Sequence, residues 1–142
     1  MADYLNSLSK LLADDIRRTY AQVTTHDMRR DATEKAGLSG ATATWTAAIP
    51  AGSLVLGVTS RVTTLITGAT SFKIGDGTDV DRWGATVGVT LDTTSGIANF
   101  TITAPVYYAA ATNIVLTANG SNFTAGAVRL VVYYTLLDPP AA

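Results

Sequence analysis

The chain predicts a mainly β protein: an antiparallel β-sandwich, jelly-roll-like, preceded by one long N-terminal amphipathic α-helix. Three observations carry that expectation. Charge is concentrated at the start, where residues 1–35 hold 12 of the 21 charged side chains. Beyond residue 43, Thr, Val, Gly and Ala dominate, in short runs of alternating polarity separated by turn residues. Between the two lies G-L-S-G-A-T-A (37–43), a run of small residues that reads as a linker. The expected divisions are a helical arm over 1–36, the linker over 37–43, a β domain over 44–138 and a tail over 139–142.

The helical expectation runs from Asp3 to Ala32. Leu5, Leu8, Leu12, Ile16, Tyr20 and Val23 follow one another at intervals of three or four, which sets them on one helical face. Asp3 or Asn6 could cap the start, and Gly37 lies just past the end. Thirty helical residues span about 45 Å, too long to hide the stripe on a small β domain. The stripe is therefore expected to bundle with copies of itself or to lie on a larger partner. A helix folded back over its own sheet is the plainer alternative.

The β domain is expected to open with Ala43–Ile49, closed by Pro50-Ala51-Gly52. Residues 53–66 then alternate, with Leu54, Leu56, Val58, Val62 and Ile66 inward and Thr59, Arg61 and Thr63 outward. A Gly-Ala-Thr-Ser turn precedes the short apolar piece Phe72–Ile74. After the aspartate-rich loop 75–83, Val87, Val89 and Leu91 share a face, and Ala98, Phe100 and Ile102 share another. Asn113–Ala118 and Ala127–Leu137 complete the set, the last with Val128, Leu130, Val132, Tyr134 and Leu136 inward. Seven or so strands at this spacing suit a sandwich.

Composition excludes several classes. Net charge is −1, with no basic block, so nothing argues for nucleic acid. There is no cysteine, hence no disulfide, thiol nucleophile or thiolate metal site. No apolar run approaches the length of a membrane span, and the first residues carry no secretory pattern. Charged residues make up only 15% of the chain, which points to large contacts with other chains.

Chemistry-bearing candidates are sparse. His26, the only histidine, would need a nucleophile and a carboxylate brought to it, and no G-x-S-x-G is present. Asp76, Asp79 and Asp81 in D-G-T-D-V-D are a weak calcium candidate, with oxygen ligands at close spacing but no closing glutamate. The plainer reading has them cap their own turns, one pairing with Arg82. Two carboxylates facing across a cleft, as glycoside hydrolysis requires, are not evident. No enzyme activity and no cofactor is expected. Aromatic and amide side chains in loops (Trp83, Tyr107, Tyr108, Asn119, Asn122 and Phe123) could contact a glycan or a neighbouring subunit.

Three stretches carry a resemblance: I-P-A-G-S-L-V-L-G-V-T-S-R-V (49–62), I-T-G-A-T-S-F-K-I-G-D (66–76) and P-V-Y-Y-A-A-A-T-N-I-V-L-T-A-N-G-S-N-F-T-A-G-A-V-R-L-V-V-Y-Y (105–134). They resemble a C-terminal β domain of tailed-phage and gene-transfer-agent virion appendage proteins. The resemblance implies a non-enzymatic virion structural protein made in the host cytoplasm, a head decoration or spike component. It would be oligomeric, often trimeric, and bound to capsid or tail proteins. Under this reading Leu5, Leu8, Leu12, Ile16, Tyr20 and Val23 form the virion anchor or oligomer interface. The alternative it implies is a receptor-binding adhesin, a tail-fibre or spike tip, that contacts host surface polysaccharide.

Overall fold

The computed structural model describes residues 29–96 and 105–137, and among these the chain is all strand and turn, with no helix. Nine strands follow in order: β1 (Arg29–Ala36), β2 (Thr42–Ile49), β3 (Ser53–Thr67), β4 (Ser71–Gly75), β5 (Gly84–Val87), β6 (Thr94–Ser95), β7 (Val106–Tyr108), β8 (Thr112–Asn119) and β9 (Ala125–Leu136). One sheet has the order β1-β9-β3-β6, with β7 also on β3; the other has the order β2-β8-β4-β5. Every pairing is antiparallel.

The pairs β1–β9, β2–β8, β3–β6 and β4–β5 are those of one long hairpin with its turn between β4 and β5. Winding that hairpin brings β3 against β9 and β4 against β8, the connectivity of a jelly roll. A single apolar cluster joins both sheets: Val55, Val58, Val62, Val128, Leu130 and Val132 from one meet Trp45, Phe72, Ile74, Ile114 and Leu116 from the other. Each such side chain removed from water is worth about 1.5–3 kcal/mol. Phe72 of β4 and Phe123 of the β8–β9 loop meet edge to face, with ring centroids 6.4 Å apart.

The N-terminal helix expectation requires correction where it meets the described residues. Arg29–Ala36 is not helical; it is the edge strand β1, paired in unbroken register with Ala127–Tyr134 of β9. Five of its eight residues are charged. That composition favours a helix locally but also suits a solvated sheet edge. Pairing with β9 decides the matter, and Arg129 adds an ion pair to Glu34 at 2.7 Å. Leu5, Leu8, Leu12, Ile16, Tyr20, Val23 and His26 lie outside the described residues. After β1, Leu38 enters the core at 1% exposure and Gly40 bonds main chain to main chain with Phe123 in both directions.

Strand β3 differs from the alternation read along it. Its register shifts between Val55 and Gly57, so parity reverses there. Val55 is buried, while Leu54 and Leu56 are only half-buried. An inserted residue in one strand moves every side chain before it to the opposite face. Leu91, expected to share a face with Val87 and Val89, is exposed whereas Val87 is buried. Tyr107 and Tyr108, expected in a loop, lie in β7. Ala98, Phe100 and Ile102 lie outside the described residues.

Candidate functional site

At one end of the sandwich the chain folds into a tight knot around Asp76. Strand β4 ends at Gly75, where a Cβ would lie 2.1 Å from the Asp79 carbonyl oxygen. Only glycine lets the loop close so near. The Asp76 N–H donates to that same oxygen, at 3.1 Å. The buried Asp76 carboxylate collects four donors. Oδ1 accepts the main-chain N–H of Thr78 (3.0 Å) and of Asp79 (2.8 Å), while Oδ2 accepts Arg82 Nε (2.7 Å) and the Tyr108 hydroxyl (2.5 Å). The loop returns to the sheet through Trp83 N–H to the Ile74 carbonyl at 3.0 Å.

Burial alone would raise the Asp76 pKa. The Tyr108 hydroxyl, the N–H groups of Asp79 and Thr78 and the Arg82 charge together outweigh it and hold the carboxyl below its ordinary value. Burial, and then the hydrogen bond to this anion, push the Tyr108 phenol well above its usual range, so it stays a proton donor. A carboxylate so engaged is a poor base. It serves instead as a fastener: Tyr108 belongs to β7 of the first sheet, and the loop belongs to the β4–β5 connection of the second.

The three aspartates put forward for calcium are arranged differently from a cation site. Asp76 is turned onto its own loop, Asp79 faces Arg82 at 3.8 Å, and Asp81 faces Lys73 at 3.6 Å. Among the described residues no group of three or more His, Asp or Glu side chains gathers where a metal ion could sit.

The residues put forward for glycan or partner contact fall into two groups at opposite ends of β4. Gly75, beside the knot, is opposite Val115, and Ser71 is opposite Asn119. Four residue steps along β4, about 13 Å, separate the two ends. At the knot, Tyr107 is 54% exposed, Tyr108 is half-buried on Asp76, and Trp83 packs on the core. At the other end Asn119 Nδ2 donates to Ser71 Oγ at 3.0 Å and Asn122 is exposed. Phe123, at 2% exposure, is a core residue and has no surface to offer.

Sequence reasoning missed that Val80, in the Asp76 loop, and Leu137, just after β9, expose apolar side chains. Leu137 is held by its N–H to the Gly52 carbonyl, and Gly52 in turn donates to the Tyr108 carbonyl. It also missed the row across the outer face of the first sheet. There Arg129 and Arg61 stand opposite each other, and each has a carboxylate, Glu34 and Asp92 respectively. Like charges at this spacing are tolerable only with such counter-ions. Neither group has a local sequence signal.

No family model matches the sequence, and no curated protein matches it. Among solved structures, a chain of the cyanophage Pam1 capsid asymmetric unit matches with a TM-score of 0.58 and 22% identity. The match covers 79% of this chain and 86% of that one. A chain of the acid-stable capsid of Helicobacter pylori bacteriophage KHP30 matches with a TM-score of 0.43 and 18% identity, over 75% and 94% of the two chains. The first likeness is one of fold.

Proposed function

We propose that this chain is a non-enzymatic structural component of a tailed-phage or phage-like particle, a decoration or spike component on the head. The observation that carries the reading is the fold shared with most of a chain from a phage capsid. The low charge content agrees with a protein that spends its life in contact with other subunits. So do the exposed apolar side chains Leu65, Val80, Leu91, Tyr107 and Leu137. In this reading the chain is oligomeric, and the apolar residues Leu5, Leu8, Leu12, Ile16, Tyr20 and Val23 attach it to capsid proteins. A second reading, a receptor-binding adhesin for host polysaccharide, draws support from the exposed ring of Tyr107 on β7.

Particles assembled without the protein separate the two. A decoration role predicts genome loss at a lower temperature with normal host adsorption. Normal heat resistance with poor adsorption would favour the adhesin.

A further inference from the structure

Among the described residues, β1 and β2 are the edge strands of their two sheets and flank one seam of the sandwich. Charge protects the β1 edge, whereas β2, T-A-T-W-T-A-A-I, carries none. The Ala41 carbonyl is bonded to β8 through the Ala118 N–H. Three residues on, the Thr44 carbonyl points the other way and meets the Lys35 ammonium at 2.7 Å. By the alternation of a strand, Thr42 and Thr44 therefore turn their main-chain groups outward.

Two costs lie close together on this strand, at the irregularity where the Ala47 N–H bonds to Asn113 Oδ1 at 2.8 Å. The Trp45 indole N–H is buried and, among the described residues, finds no acceptor. Ala47 has a φ of 51°, in the left-handed region that a non-glycine residue seldom occupies. Both residues line a cavity of about 230 Å³ at the seam, with Thr33, Thr46, Pro50 and Val132. Strain of this kind collects where a structure is shaped to receive something. Lys35 lies 5.6 Å from the Trp45 ring centroid, and among the described residues no carboxylate pairs with it.

We propose that the β2 edge and this cavity receive an extended segment of a different polypeptide, bearing an Asp or Glu. Its main chain pairs with Thr42 and Thr44. Its carboxylate draws Lys35 off the Thr44 carbonyl, a small side chain enters the cavity, and an oxygen accepts the Trp45 N–H. A second copy of β2 does not fit, since it has no carboxylate. That the segment belongs to a neighbouring virion protein rests on the reading above.

The site is tested first on the intact chain, with the peptide acetyl-Thr-Val-Glu-Val-Thr-Val-amide and its Glu-to-Lys analogue as probes. The readout is the Trp45 indole resonance, assigned through Trp45→Phe, with Trp83 as internal control. The acidic peptide is expected to shift Trp45 and not Trp83. The effect should vanish in Thr44→Pro, survive in Thr44→Ala and weaken several-fold in Lys35→Glu. No shift with the acidic peptide at millimolar concentration, or equal shifts with both peptides, overturns the site. In particles, Thr44→Pro and Lys35→Glu should lower the copies bound while Thr44→Ala does not. Equal incorporation of all three overturns the virion partner. Absence of the wild-type chain from particles counts against the virion reading, while the peptide result still judges the site.

Discussion

The hydroxyl of Tyr108 reaches Asp76 Oδ2 at 2.5 Å, and this contact ties β7 of one sheet to the β4–β5 loop of the other. Hydrogen bonds to a buried charge are among the stronger ones in proteins. Tyr108→Phe keeps the ring and removes the donor. It is expected to cost about 2 kcal/mol, seen as a melting temperature lower by roughly 6 °C. An unchanged melting temperature would show that the tie contributes nothing.

The same carboxylate makes stability depend on pH in a defined direction. The Asp76 pKa is lower in the folded chain than its ordinary value of 3.8, so the unfolded chain takes up a proton first as pH falls. The contribution is complete above that value and is lost as pH drops through the depressed folded pKa. Tyr108 acts oppositely at the alkaline end: its folded pKa is raised from 10.0, so stability falls as pH climbs above that value. Melting curves against pH should show Asp76→Asn with a lower plateau near neutrality and a flatter acid limb than wild type. Parallel acid limbs would remove Asp76 as the source.

Two glycines of the knot should behave differently. At Gly75 a methyl group would meet the main chain of Asp79 and Val80 at 2.1–2.6 Å, which no side-chain adjustment can relieve. Gly75→Ala is expected to cost about 3 kcal/mol or more. At Gly77 the space is open and only a φ of 84° opposes the change; Gly77→Ala should cost about 1 kcal/mol. Chemical denaturation of the two variants measures the contrast, and similar midpoints would contradict the close approach at Gly75.

Phe123 is expected to matter to folding and not to recognition. Its ring is sealed against Phe72, so Phe123→Ala should lose about 3–5 kcal/mol. Its exposed neighbour Asn122 should tolerate alanine within about 0.5 kcal/mol. Thermal melts of both variants decide this.

Elements with a long, regular alternation were legible in the sequence. Val128, Leu130, Val132 and Tyr134 of β9 all face inward as their spacing indicates, because no irregularity interrupts them. The first half of β3 was not legible, since the bulge before Gly57 leaves no composition signal. Strand β1 was hidden for a different reason. Its residues prefer a helix locally, and what makes them a strand is a partner such as Arg129, 95 positions away from Glu34. The Asp76 knot was half legible: the aspartates and glycines announce a tight loop, but Tyr108 comes from another strand.

The central claim, that this is a structural subunit of a phage particle, is tested most directly by its copy number. Quantitative mass spectrometry of purified particles gives the ratio of this chain to the major capsid protein. A decoration subunit predicts a ratio approaching that of the capsid protein itself. Absence from purified particles, with the chain recovered only from the soluble lysate, would contradict the account.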